Sequence, residues 1–158
     1  MDTSFNSPPG QSGLAGIGSA LWYWGPVVGY AVLIFTLSSL SGSEMPFSLF
    51  PIPYNDKILH ALVYGGLALL ALRAFRHAAG LIGARYALVL AVVVAALYGM
   101  SDELHQVFVP NRHADVWDWV ADTAGATLAI WIWKFWWPTR RRLPEPDRPV
   151  PGISDPAG

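Results

Sequence analysis

The sequence predicts an all-α integral membrane protein, a compact bundle of four transmembrane helices with a Pro-rich outer loop between the first two. Three observations predict it. Hydrophobic residues make up 53% of the 158 positions and charged residues only 13%, too apolar a balance for a soluble domain of this size. The charges are also segregated, with none between Thr3 and Ser43. Finally, the apolar stretch at residues 20–40 is long enough to cross a hydrocarbon core of about 30 Å, and three further apolar stretches follow it. The chain has no Cys, which excludes disulfides and thiolate chemistry. A net charge of -1 excludes the basic footprint of a nucleic-acid binder.

The elements follow in order. Residues 1–19 are rich in Gly, Ser and Pro and are expected to form a flexible N-terminal segment. The lack of a basic n-region argues against a signal peptide. Residues 20–40 (ALWYWGPVVGYAVLIFTLSSL) form the first span. In the following loop, SGSEMPFSLFPIPYND, Pro46, Pro51 and Pro53 block a helix while Phe47, Leu49, Phe50 and Ile52 seek an apolar phase. A short re-entrant lid at the outer interface is expected. The second span runs from Ile58 to about Leu72. The third covers Tyr86 to Met100 and continues as helix through Gln106, and the fourth is Val116 to Trp137. Residues 138–158, with PTRRRLPEPDRPVPG, read as a disordered Pro/Arg-rich tail outside the 20–137 membrane domain.

Basic residues orient the bundle. Arg73, Arg76 and Arg85 lie between spans two and three, and Arg140, Arg141, Arg142 and Arg148 follow span four, whereas the other connections hold Lys57 and Arg112. The positive-inside rule therefore places both termini in the cytoplasm of a bacterial cell whose plasma membrane the chain crosses several times. Trp22, Tyr23, Trp24, Trp136 and Trp137 fit an aromatic belt on that side.

Small residues indicate how the helices meet, because close packing drives association in lipid. Ala87, Ala91, Ala95 and Gly99 form a stripe that leads to Glu103, and Asp118, Asp122, Gly125 and Ala129 form another on span four. Packing the two together would gather their acids in the interior. Gly25 and Gly29, one turn apart, serve internal packing or dimerisation equally well.

The ionisable residues concentrate at the opposite end from the arginines. Asp56, His60 and Tyr64 recur at helical spacing on span two, as do Tyr98, Asp102 and His105 on span three. An ionisable group in hydrocarbon costs at least about 2.5 kcal/mol, so such residues face partners or a water-filled cavity. One outward-opening polar pocket built from spans two, three and four satisfies them all.

Two segments, DKILHALVY (56–64) and YGMSDELHQVFVPNRHADVWDWVADTAG (98–125), strongly resemble the VanZ-like family of bacterial membrane proteins. The resemblance covers about residues 30–137. It implies a small multi-span envelope protein whose namesake accompanies glycopeptide resistance and raised tolerance of teicoplanin. It also marks Asp56, Lys57, His60, Tyr64, Asp102, Glu103, Gln106, Arg112 and Asp118. At Asp122 the family pattern usually carries Asn. With Asp122 and His105 added, these residues form the expected ligand-binding set.

Several functions compete for that set. Asp118 and Asp122 would favour the positive end of span four by about 0.3 to 1 kcal/mol even if they only finished a helix. His60, His105 and His113 with the carboxylates include ligand types that zinc or manganese accepts. No tight ligand spacing is present, so neither a metal nor another cofactor is expected. Ser101 lacks a nucleophile's context. A proton-coupled carrier has little room in four short spans. Acid/base chemistry on a lipid-linked envelope precursor would draw on Glu103, His60, Asp102 or Asp118, with Lys57 or Arg112 clamping a phosphate. The preferred expectation is binding without chemistry, of a membrane lipid headgroup or a lipoglycopeptide. An acid-heavy site repels phosphate, and only Lys57, Arg112 and protonated histidine offset it.

Overall fold

The computed structural model describes residues 11–41 and 55–136. Four helices follow one another: α1 (Gln11–Ser38), α2 (Asn55–Ala78), α3 (Gly80–Gln106) and α4 (Val116–Trp136). There is no strand among the described residues. The Pro-rich loop and the C-terminal tail expected from sequence lie outside them.

Three helices are long and apolar enough to cross a membrane: Ile17–Ser38 within α1, Asp56–Ala78 in α2 and Gly80–Gln106 in α3. The fourth expected span does not meet that measure. Its 21 residues include Asp118 and Asp122 near the start and Lys134 near the end. Helix boundaries also run past the apolar stretches. α1 begins at Gln11 rather than Ala20, and α2 extends from Asn55 to Ala78 around the apolar 58–72 core. A helix carries its own backbone hydrogen bonds through the interfacial region, so nothing stops it at the apolar boundary. α3 ends at Gln106, where the sequence placed it. α2 stops at Ala78, and Gly80, whose φ of 68° suits a residue without Cβ, turns the chain directly into α3.

The interior is built from small residues. Along α3 the buried positions are Gly83, Ala87, Ala91, Ala95 and Gly99, followed by Asp102, Glu103 and Gln106. α4 packs against α2 and α3 through Asp118, Asp122, Gly125, Ala126 and Ile130. The closest approach is between α2 and α4, not along the α3 stripe. A Cβ on Gly125 would collide with the Ala61 backbone, and one on Gly65 would lie 3.3 Å from the Gly125 carbonyl oxygen and 3.3 Å from Ala129 Cβ. α1 is peripheral, meeting α2 and α3. Its Tyr30 fills the space over Gly66, and Tyr98 Oη donates to the Ala31 carbonyl at 2.6 Å. A Cβ on Gly25 or Gly29 would meet nothing within 4 Å, so these two glycines do not mark a helix contact, while Val27 between them is buried in the core.

Tyr64, Leu67 and Leu72 are buried among the small residues, but many other large side chains point outward. Leu33, Leu81, Val89, Leu97, Leu128 and Phe135 are all exposed, the inverse of a soluble bundle and the arrangement lipid favours. At one end, Arg73 lies 4.7 Å from the Tyr23 ring centroid and Arg76 lies 4.6 Å from that of Trp133. His77 stacks on Tyr23 there. The acidic residues among those described occupy the other end.

Candidate functional site

The site begins with the turn between α3 and α4. Pro110 and Asn111 occupy its centre, and Arg112 N donates to the Val109 carbonyl at 3.2 Å. Asn111 takes φ 59°, a left-handed value that Asn tolerates. The turn aims Arg112 back at α1, where its Nε donates to the Leu40 carbonyl at 3.3 Å. That carbonyl follows the C-terminus of α1, the end at which a cation is favoured.

Asp115 then starts α4. One of its carboxylate oxygens accepts from Trp117 N at 2.9 Å, an N-cap, and its carbonyl accepts from Asp118 N. The other carboxylate oxygen takes Lys57 Nζ at 2.8 Å, while its own N–H donates to Glu103 Oε2 at 2.8 Å. Asp115 thus ties α2, α3 and α4 together. Lys57, bonded to it, holds its carboxyl below the usual carboxylate range, with the Trp117 N–H adding to the effect. Asp115 is not among the ligand-binding residues that the sequence predicts. Its position just before α4, three residues ahead of Asp118, is an N-cap signal that was there to be read.

Lys57 is shared among acids. Besides Asp115 it reaches Asp118 Oδ1 at 2.7 Å and Asp56 Oδ2 at 3.3 Å. Asp56 sits at the exposed rim. Its neighbour one turn on, His60, bonds through Nδ1 to Asp122 Oδ1 at 2.9 Å. Asp122 is 0% exposed, and its Oδ2 has no hydrogen-bond partner. That oxygen lies against Gly99, where a Cβ would approach it to 2.6 Å. Gly99 therefore makes room for the carboxylate as well as for the helix.

The remaining residues divide. Gln106 Nε2 donates to Asp102 Oδ2 at 3.3 Å and to Glu103 Oε1 at 3.4 Å, and all three are buried. Tyr64 is 1% exposed and stacks parallel to His60 at 6.2 Å between ring centroids. His105 is not brought in. It pairs with Ser39 Oγ at 3.0 Å and packs on Phe35, on the α1 side of α3. His113 is exposed.

Beside this network lies a cavity of about 230 Å³ between α1, α2 and α3. Ile34, Leu37, Leu59 and Val63 make its walls mostly apolar, while Ser38, His60, Tyr64, Asp102, Gln106 and Arg112 supply polar edges. Three buried polar atoms in that lining have no hydrogen-bond partner: Ser38 Oγ, Tyr64 Oη and Arg112 Nη2. All three are donors, and leaving each unpaired costs about 1 to 3 kcal/mol. The sequence reading built its pocket from spans two, three and four and left out Ser38 and the α1 wall, since Ser38 sits among apolar residues with no charged neighbour. A second, wholly outer groove runs along α4 over Trp119, Thr123 and Trp131.

A family model described as VanZ/LLP1 matches residues 21–137. No curated protein and no solved structure matches the chain.

Proposed function

The chain belongs to the VanZ/LLP1 family, and on that premise we propose that it is a cell-envelope membrane protein that binds an amphiphile bearing an acidic, acceptor-rich headgroup. The cavity beside Arg112 is the binding place. The observation that carries this reading is the set of unpaired donors, Ser38 Oγ, Tyr64 Oη and Arg112 Nη2, in a largely apolar cavity. A phosphate satisfies such donors, and an acyl chain suits Ile34, Leu37, Leu59 and Val63. Lys57 is already engaged by three carboxylates, which leaves Arg112 as the cation positioned for the ligand. A membrane phospholipid and the lipid tail of a teicoplanin-type lipoglycopeptide both have this amphiphilic form, and tolerance of teicoplanin would follow from engaging the latter.

In this reading α4 also crosses the membrane. Its acids point inward and are buried, while Val120, Leu128, Trp131 and Ile132 face outward. The surface it offers to lipid is therefore more apolar than its composition. The arginine and tryptophan end is assigned to the cytoplasm and the acidic end to the outside.

Native mass spectrometry of the protein in detergent, with an acidic and a zwitterionic phospholipid of matched chains, tests the proposal. The wild type is expected to retain the acidic lipid preferentially, and Arg112→Gln to lose that preference at unchanged fold. Equal retention of both lipids by the wild type would overturn it. A teicoplanin arm in the same experiment separates the two ligand sources.

Acid/base chemistry on a lipid-linked precursor is the second reading. It is favoured by the Asp122–His60 pair at 2.9 Å, whose imidazole lines the cavity. An enzyme shifts an envelope-precursor pool when the gene is removed, whereas a binder need not.

A further inference from the structure

His60, Glu103 and Asp122 come from three different helices, yet their ligand atoms all lie within 4.8 Å of one another. We propose that they form a binding site for one divalent transition-metal cation of the zinc or manganese kind, a function separate from headgroup binding. One imidazole and two carboxylates make a mixed nitrogen and oxygen set that these ions accept, whereas magnesium and calcium prefer oxygen alone. In a tetrahedral site, ligands held at about 2.0 to 2.2 Å from one ion stand about 3.3 to 3.6 Å apart. The three atoms, now within 4.8 Å of one another, would close around the ion by up to about 1.5 Å.

The unpaired oxygen of Asp122 points to a ligand independently of the clustering. Asp122 is wholly enclosed, its Oδ1 is bonded to His60, and its Oδ2 has no partner. Glu103 is also buried, and its bonds come from the Asp115 N–H and the Gln106 amide. Neither is bonded to Lys or Arg among the described residues. Lys57 is held by Asp56, Asp115 and Asp118, and Arg112 reaches Leu40. Two buried carboxylates beside one imidazole are costly to hold ionised in so apolar a surrounding, and a bound cation stabilises them in that form. A divalent cation cancels the charge of the two carboxylates. On binding it displaces the proton shared by His60 and Asp122, which leaves to solvent, because only neutral imidazole and ionised carboxylate are ligands. The Gln106 amide and the Asp115 N–H would then hold Glu103 in place from behind, as outer partners do at metal centres.

The test uses the full chain purified in detergent, with any affinity tag removed and the protein stripped with a chelator. Zinc and manganese are titrated separately by calorimetry, and the zinc-loaded wild type is examined by X-ray absorption. One equivalent of at least one ion is expected. Asp122→Asn, His60→Gln and Glu103→Gln should each weaken binding by at least about tenfold, the loss seen even for outer partners. The exposed His113→Gln should not weaken it. The zinc spectrum should show imidazole scattering with nitrogen and oxygen neighbours at about 2.0 to 2.2 Å. Circular dichroism identifies any variant that fails to fold, in which case the wild-type spectrum decides. The proposal is overturned by no saturable binding of either ion, by unchanged affinity in folded Asp122→Asn, or by a zinc spectrum without imidazole.

Discussion

Gly125→Ala adds a single methyl group where α2 and α4 are closest. The new Cβ would lie 2.6 Å from the Ala61 carbonyl carbon and nearer still to its oxygen and Cα. These are backbone atoms, so no side-chain rotation relieves the clash. Restoring a contact of 3.4 Å to the carbonyl carbon alone requires the two helices to part by about 0.8 Å, and the nearer oxygen and Cα require more. A gap of that size forfeits about a quarter to a half of each dispersion contact it opens. It also carries His60 Nδ1 and Asp122 Oδ1, now 2.9 Å apart, beyond hydrogen-bonding distance, since bonds weaken past about 3.2 Å. Overpacking costs about 1 to 3 kcal/mol and the lost bond about 1 kcal/mol or more, so the total is about 2 to 4 kcal/mol. On the scale of soluble domains this lowers the unfolding temperature by at least about 4 °C. Thermal unfolding in detergent, followed by the fluorescence of the eight Trp residues, measures it. Gly29→Ala is the control, because its Cβ meets nothing within 4 Å. If the two variants unfold at the same temperature, small-residue contact between α2 and α4 does not hold the bundle together.

Three further outcomes are expected. Single cysteines at Asn111 and Ala79 should label differently with a membrane-impermeant thiol reagent in intact cells, Asn111 from outside and Ala79 only after lysis; the reverse pattern would put the acidic end in the cytoplasm. Lys57→Met should lower the unfolding temperature by leaving the part-buried Asp118 carboxylate without its partner at 2.7 Å. Asp115 is held below its ordinary pKa of 3.8. The stability it contributes is thus present above pH 3.8 and lost as pH falls through its lower folded value, and Lys57→Met should flatten that acid limb. An unaltered acid limb would mean that Lys57 does not hold Asp115. Glu103→Gln keeps an acceptor for the Asp115 N–H and should retain acidic-lipid binding at normal membrane levels. Loss of the gene's phenotype with lipid binding intact would favour acid/base chemistry instead.

Much of this architecture was legible because lipid makes packing rules simple. The stripe from Ala87 to Gly99 faces inward as its spacing implied, and Glu103 lies one turn beyond it. Asp122 was expected inside and is fully enclosed. Other features depend on which helices become neighbours, which periodicity does not specify. Gly125 was grouped with a stripe meant for α3, yet it meets Ala61 on α2. Asp102 and His105 share a helical segment, but only Asp102 reaches the cavity, because α1 draws His105 to Ser39. Asp115 escaped notice since its role is a backbone cap and a three-helix tie, neither of which shows as a repeat. The cluster of His60, Glu103 and Asp122 is invisible to ligand-spacing motifs for the same reason: its members lie on separate helices.

The place of ligand binding can be mapped directly with an acidic phospholipid carrying a photoreactive group in its acyl chain, crosslinked to the protein in bilayers and located by peptide mass spectrometry. Labelling should concentrate on Ile34, Leu37, Leu59 and Val63 along the cavity, and fall several-fold in Arg112→Gln or with excess unlabelled acidic lipid. Labelling confined to outer surfaces such as the Trp119 and Trp131 groove, insensitive to both Arg112→Gln and competitor, would contradict the assignment of the cavity as the lipid-binding site.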